Sequence, residues 1–399
     1  MSLRGRAVMV TGATGFIGGR LIERLVLEEG ATVRALVSSY SRCARIARFP
    51  VDLIRGDLLD QESVTEAAKG CDVIFHCAYG ARGSREERRR VSVEGTERVL
   101  AAAAASGARL VHLSSQMVYG VRESGYIDES TPRRRSGSTY ADSKLEAEEK
   151  VMRAAAQGLP VTVLQPTAVY GPHAPVWTVD VLRRMRAGRV PLIDGGEGIC
   201  NAVYVDDVVS AALLAASSEA ALGECFLVSA AEPVTWREFY GRYEAMLGVP
   251  ATVPVSTSTT AKPVRSPSLW RELAAMVREE PLVRDRLRRT AEARLLAKLL
   301  GPLRSLRAGT QRRSATPELD RLRRLRTVDE PQVHPVAASD AAFFSARSRV
   351  LIDKARQRLG YRPRFSLDAG MEVTEVWARW AGLVPEGEEH QETLVAGTH

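Results

Sequence analysis

The chain has 399 residues, 45% of them hydrophobic, and a net charge of +8, long enough for one large α/β core with a smaller lobe. Its five cysteines, at 43, 71, 77, 200 and 225, form neither a CxxC pair nor a zinc-ligand spacing, which speaks against a disulfide framework and offers no metal site. No apolar run is long enough to cross a bilayer and the first strand starts close to Met1, so the expectation is a cytoplasmic protein without a targeting segment.

The first element is an apolar strand near 6–11 that runs straight into Gly12-Ala13-Thr14-Gly15-Phe16-Ile17-Gly18 and then a helix with Leu21, Ile22, Leu25 and Val26 on one face. Gly12 permits a sharp turn, Gly15 removes a side chain where backbone must approach an anion, and Gly18 lets the helix pack on the sheet. With the unpaired N–H groups of the helix start behind it, the turn of Gly12, Thr14, Gly15, Phe16 and Ile17 suits a dinucleotide pyrophosphate. A second strand, near 32–37, ends at Val37 and is followed by Ser38-Ser39-Tyr40-Ser41-Arg42. A carboxylate at this point would hold the ribose of NAD. None is present; Ser38 and Ser39 can hydrogen-bond, and Arg34, Arg42 or Arg45 can supply positive charge, so NADP is favoured over NAD. Arg42 and Arg45 also fit a solvated helix face.

Further strands near 51–55, 72–76, 109–114 and 160–165 alternate with helices, including 86–106 and 139–157. This alternation implies a parallel, doubly wound, Rossmann-like sheet. The strand Leu110-Val111-His112-Leu113-Ser114-Ser115 ends in hydroxyls, where a strand end meets a ligand crevice. In Tyr140-Ala141-Asp142-Ser143-Lys144 the tyrosine and lysine lie one helical turn apart. An ammonium there, beside an oxidised nicotinamide, favours tyrosinate and prepares the tyrosine for proton exchange with a carbonyl/alcohol pair.

With these motifs the chain resembles the extended short-chain dehydrogenase/reductase family over about residues 5–250 and 345–382: the TGxxGxxG turn, the Ser114-Ser115-Gln116-Met117-Val118-Tyr119-Gly120 strand end and the YxxxK pair. The resemblance implies Ser115, rather than Ser114, as the hydroxyl that bonds the substrate oxygen, Tyr140 as the proton-transfer group, and Lys144 as the group that lowers the tyrosine pKa and binds the nicotinamide ribose. It places Asp57 and Leu58 near the adenine, Ala78 beside the pyrophosphate and Pro166 in the segment passing the nicotinamide. The Tyr204-Val205-Asp206-Asp207-Val208 and 354–361 segments match later structural motifs. Helices 86–106 and 139–157 are those through which relatives commonly form a homodimer, although packing within one chain fits them equally.

Residues 1–172 read as the dinucleotide-binding domain and 173–383 as the substrate lobe. Tyr79, Arg82, Gln116, His173, Trp177 and Asn201 are candidates for the substrate pocket. The lobe carries an insertion at about 251–344 that departs from the family. Within it residues 262–326 hold 18 Lys/Arg against 7 Asp/Glu, more than the net charge of the whole chain. Leucines recurring at helical spacing there imply a basic helical hairpin or cap: a lid over an anionic substrate, a membrane-surface contact, a partner helix, or simply a solvated amphipathic helix. No aromatic interleaving or known motif points to nucleic acid. Residues 384–399 read as a disordered acidic tail.

Two functions remain open within the family, with a third outside catalysis. The first is an NAD(P)-dependent oxidoreductase acting on a secondary alcohol or ketone of a small metabolite. The second is a nucleotide-sugar epimerase that recycles its cofactor; against it, the arginine that grips diphosphate in such relatives is missing at Cys200-Asn201-Ala202, unless Arg183, Arg184, Arg186 or the insertion replaces it. A dehydratase is disfavoured because Gln116-Met117 stands where an Asp-Glu pair is usual. The third is a dinucleotide-sensing interaction protein, which would have no need of Ser115, Tyr140 and Lys144 together.

Overall fold

Seven strands form one fully parallel sheet: β1 (Ala7–Thr11), β2 (Thr32–Val37), β3 (Val51–Arg55), β4 (Val73–His76), β5 (Arg109–Leu113), β6 (Val161–Pro166) and β7 (Glu224–Val228). Their order is β7-β6-β5-β4-β1-β2-β3, so the direction of winding reverses between β1 and β4, where Thr11 lies opposite His76. A crevice opens at the carboxyl ends of the strands at such a reversal. The chain is a computed structural model described over residues 2–188, 190–256 and 338–385. The described residues, Ala338 apart, fall within one compact unit. The basic segment at 262–326 and the tail from 386 lie outside the described residues.

Parallel strands are buried on both faces, which explains their near-continuous apolar character. Val8, Val10, Val111 and Leu164 face one core, with α1 (Phe16–Leu27) packed through Leu21, Ile22 and Leu25. Met9, Ile74, Leu110 and Val163 face the other, covered by α2 (Gln61–Ala68) and α3 (Arg85–Ser106). A capping box of Ser84 and Glu87 starts α3, and Gly107 in the left-handed region ends it. Alongside lies α4 (Thr139–Ala156), capped by Ser138; Arg89 pairs with Glu146 and Lys150 with Glu97 across the two helices. Cys71 and Cys225 are buried with this core, as small core residues.

The smaller lobe contains α5 (Asp180–Arg186), α7 (Trp236–Leu247) and short strand pairs. Ahead of α5, Pro175–Val179 forms a wider π turn that runs into the helix. Both ends of the 251–344 segment carry elements packed on the lobe. Thr252–Val255 is a strand paired in parallel with Val190–Ile193, and α8 (Ala338–Ser345) brings Phe343 and Phe344 to 5.6 and 4.7 Å from the Trp236 ring. Polar neighbours hide both elements in the sequence. Val384, read as tail, is 5% exposed and belongs to the core.

Two consecutive carboxylates in α6 (Val205–Ser217) tie the parts together. Asp206 takes a two-pronged contact from Arg20 of α1. Asp207, fully buried, accepts the backbone N–H groups of Arg364 at 2.8 Å and Phe365 at 3.2 Å, which fixes the entry to α9 (Leu367–Trp380). Replacing Asp207 with Ala removes the acceptor of two part-buried backbone donors, each costing about 1–3 kcal/mol where water does not replace it. Urea denaturation of Asp207→Ala is expected to show a loss of about 2–4 kcal/mol with an unchanged slope; a loss below the measurement error would mean that water replaces the carboxylate.

Candidate active site

The turn between β1 and α1 is shaped by steric exclusion. Gly12 has φ +65°, and a Cβ there would lie 2.7 Å from the backbone nitrogen of Ala78. A Cβ on Gly18 would come within 2.3 Å of the Gly12 carbonyl oxygen. Helix α1 then begins at an N-cap, Gly15, that makes no side-chain hydrogen bond, and its first turn carries no acidic residue. Thr14, Gly15, Phe16 and Ile17 are all accessible at this turn. Unpaired N–H groups and the positive end of the helix dipole are thus left for an anion, with room for backbone contact.

At the end of β2, Ser38 is exposed and the Ser39 hydroxyl accepts from Ser41 N–H. Arg42 is exposed and has no ion pair among the described residues. Arg45 packs against Gly19 and donates to the Phe16 carbonyl at 3.3 Å. Arg34 is removed from the set of possible phosphate ligands: its guanidinium donates to the carbonyls of Ala67 and Lys69 beside the C-terminus of α2. Asp57 is exposed and its carboxylate accepts from Leu59 N–H at 2.9 Å, while Leu58 packs near Gly95. Pro166 is buried at the end of β6.

Tyr140 and Lys144 line one cavity, and Ser115 lies at the end of the neighbouring strand β5. Ser115 follows β5 and caps the short 3-10 turn Gln116–Tyr119, its hydroxyl accepting from Met117 N–H at 3.2 Å. The Ser114 hydroxyl is buried with no partner. Tyr140 stands in the first turn of α4, edge-on to Tyr79 at 5.7 Å. Although 43% of Tyr140 is exposed, desolvation of its hydroxyl raises the pKa; a hydrogen bond with Ser115 works against this and Tyr79 adds to it. Lys144 is buried, donates to the Leu113 carbonyl at 2.6 Å and lies 5.6 Å from the centre of the Tyr79 ring. Burial lowers its pKa to about 8. In this resting arrangement its ammonium is turned to that strand carbonyl.

A cavity of about 220 Å³ is lined by Tyr140, Lys144, Tyr79, Arg88 and Ser92, among others. Ser92 accepts the N–H of Gly80 at 2.9 Å and so holds the loop after β4 against α3. Beneath α4, Glu148 is 1% exposed, pairs with Arg133 and accepts two 2.9 Å hydrogen bonds from Gln165, which in turn accepts from the Tyr119 hydroxyl. This satisfied network fixes the helix face that carries Lys144.

A second, narrow cleft of about 30 Å³ starts one residue beyond Ser115. Gln116 and Asn201 line it, together with Met117, Ile199, Trp236 and Phe343. Asn201 spends both ends of its amide on Ser348 and Val350 backbone. His173 and Trp177 line neither cavity. His173, in the left-handed region at φ 68°, lies against Trp377 at 4.7 Å, and desolvation with the charges of Arg45 and Arg48 lowers its pKa to about 4. Trp177 packs 5.3 Å from Trp236, behind the cleft wall. Arg82 is exposed, and the arginines 183, 184 and 186 are exposed on α5 and line neither cavity. Sequence reasoning missed Arg88, Met117, Trp236 and Phe343. The Thr235–Glu238 capping box does mark the start of α7, and hence Trp236, in the sequence.

A doubly wound sheet with an open helix N-terminus at its reversal and a Tyr/Lys helix beside it is the build of an extended short-chain dehydrogenase/reductase. Residues 8–228 match the model of the NAD dependent epimerase/dehydratase family. The chain is 32% identical over 281 residues to 4-hydroxy-2-methyl-3-oxo-4-farnesyl-3,4-dihydroquinoline-1-oxide ketoreductase of Stigmatella aurantiaca, covering 68% of this chain and 83% of that protein. It is 31% identical over 291 residues to 2-alkyl-3-oxoalkanoate reductase of Stenotrophomonas maltophilia, covering 69% and 87%. Among solved structures, dTDP-glucose 4,6-dehydratase DesIV of Streptomyces venezuelae with NAD and TYD bound superimposes with a TM-score of 0.65 at 20% identity, over 95% of this chain and 99% of that one. The chain belongs to the NAD dependent epimerase/dehydratase family, and is an NAD(P)-dependent oxidoreductase or epimerase.

The Lys144 pKa gives a test of its burial. Between about pH 8 and 10 the unfolded chain keeps this proton and the folded chain has lost it. Stability should therefore rise with pH across that window by up to about 1.4 kcal/mol per pH unit from this residue. Unfolding free energies at pH 7.5 and 9.5 should diverge between the native chain and Lys144→Met by about 1–2 kcal/mol; parallel curves would show that Lys144 is solvated.

Proposed function

We propose that the chain reduces a ketone of a small, largely apolar metabolite to a secondary alcohol, or runs the reverse reaction, with a nicotinamide dinucleotide. The observation that carries this reading is that Tyr140 and Lys144, one helical turn apart on α4, line one cavity at the carboxyl edge of the sheet, with Ser115 at the end of the neighbouring strand. The bound dinucleotide supplies or accepts the hydride. In the reducing direction Tyr140 gives its proton to the carbonyl oxygen while Ser115 donates a hydrogen bond to the same oxygen, and Lys144 holds the nicotinamide ribose and adds positive charge. Gly12, Thr14, Gly15, Phe16 and Ile17 hold the pyrophosphate at the start of α1, with Ala78 beside it; Asp57 and Leu58 border the adenine and Pro166 the nicotinamide.

Two observations favour a ketone over a nucleotide sugar. The cleft beyond Ser115 is walled by Met117, Ile199, Trp236 and Phe343, and none of the arginines 183, 184 and 186 lines it to meet a diphosphate. The relatives quoted above are named as a ketoreductase and an oxoalkanoate reductase. NADP is preferred over NAD in this reading, since Ser38, Ser39 and an unpaired Arg42 stand where a carboxylate would select NAD.

Tyr140→Phe should lower turnover of NADPH with ketone substrates by about 10²–10⁴-fold while NADPH binding, followed by fluorescence, is retained; undiminished turnover would remove Tyr140 from the mechanism. Ser38→Asp should shift the cofactor preference toward NADH by about tenfold or more, because the new carboxylate repels a 2′-phosphate and accepts from ribose hydroxyls. An unchanged NADPH/NADH affinity ratio would place the 2′ position elsewhere.

A further inference from the structure

Arg88 is a charged residue of the catalytic cavity whose charge is not used by the described residues. It lies in the run Arg85-Glu86-Glu87-Arg88-Arg89-Arg90 at the start of α3. Glu87 is committed to the capping box with Ser84, Arg89 pairs with Glu146 and Glu86, and Arg90 pairs with Glu94. Arg88 makes no ion pair and no side-chain hydrogen bond among the described residues, and its Nε is buried without a partner. A guanidinium nitrogen shielded from water with no acceptor is costly to keep.

The position of Arg88 is fixed from behind. Gly80 packs so closely on its backbone that a Cβ at Gly80 would lie 2.1 Å from the Arg88 carbonyl oxygen, and the Gly80 N–H is held by Ser92 one helical turn further on. Tyr140 and Lys144 line the same cavity. Its two charged side chains, Arg88 and Lys144, are both cationic, and no carboxylate lines it. Such a cavity favours an anion next to the reacting hydroxyl. The cofactor's diphosphate has its own place at the open start of α1, so the anion belongs to the substrate.

We propose that Arg88 binds a carboxylate of the substrate and that the substrate is a 3-oxo acid. This rests on the ketone-reductase reading and names its substrate class. Arg88 and Tyr140 line one cavity of about 220 Å³, which places the carboxylate and the reacting carbonyl in one small molecule. In the reaction a hydride from the reduced nicotinamide goes to C3 and the Tyr140 proton goes to the C3 oxygen. The product is the 3-hydroxy acid, the carboxylate is unchanged, the nicotinamide is left oxidised, and water restores the Tyr140 proton.

The test compares 3-hydroxyoctanoate with its methyl ester, by calorimetric titration into the full-length protein saturated with NADP⁺. Turnover of 3-oxooctanoate and its methyl ester is followed in parallel. The native chain should bind the acid about 10–100-fold more tightly than the ester. Arg88→Gln should bring that ratio close to one, Arg88→Lys should keep part of it, and Arg85→Gln should leave it at the native value. Equal affinity of the native chain for acid and ester, or a ratio that survives Arg88→Gln, overturns the proposal. So does a loss of NADP⁺ binding in Arg88→Gln with the fold intact by thermal melting, which would assign Arg88 to the cofactor. Native protein that turns over neither acid nor ester counts against the ketone-reductase reading, while the binding ratio still decides the role of Arg88.

Discussion

The constraint on which the site depends is the close passage of three backbone segments at the carboxyl edge of the sheet. The β1–α1 turn, the first turn of α1 and the loop after β4 meet where Gly12 faces Ala78 and Gly18 lies beneath the Gly12 carbonyl. No side chain fits between them. Because the winding of the sheet reverses between β1 and β4, this contact lies at the mouth of the crevice. It aims the open N-terminus of α1 into that crevice and sets where the loop of Tyr79 and Gly80 begins. That loop in turn forms the wall opposite α4.

Beneath this arrangement lies a layer of buried polar groups that hold elements in register. His76 is hydrogen-bonded to Thr11 at 2.6 Å and to Thr96 at 3.0 Å, joining β4 to β1 and to α3. Burial lowers its pKa to about 3, so it works as a neutral connector. The network of Glu148, Gln165, Tyr119 and Arg133 does the same for α4, β6 and the segment between β5 and α4. Asp206 and Asp207 join α6 to α1 and to the C-terminal segment. Each of these groups is satisfied, which makes the layer specify one geometry for the residues above it.

The alternation of strands and helices, the glycine turn and the Tyr/Lys pair were legible because they follow from local periodicity and local chain geometry. The six strands expected up to residue 165 and the helices expected at 86–106 and 139–157 fall within a residue or two of their expected places. The pocket was less legible, since its wall comes from residues far apart in sequence. His173 and Trp177 follow closely on the segment of Pro166, yet one lies on Trp377 and the other behind Trp236. Arg34 reads as a free cation until the carbonyls at the end of α2 are placed beside it. Arg88 sits in a run that reads as a solvated charged face; only the partners of Arg89 and Arg90 separate it from its neighbours.

The electrostatics of the site also bear on how one tyrosine serves both directions of the proposed reaction. Burial pushes Tyr140 up and Lys144 down to about 8, and the upward shift favours a protonated tyrosine in the resting site. A reduced nicotinamide is neutral in its ring and leaves that balance alone, so Tyr140 keeps the proton that ketone reduction requires. An oxidised nicotinamide ring is positive, and its charge lowers the cost of tyrosinate, the form that accepts the proton of an alcohol. Two further cations, Lys144 and Arg88, share the cavity with no carboxylate to cancel them. In the proposed reaction the charge of the nicotinamide ring would thus favour the form of Tyr140 that each direction needs.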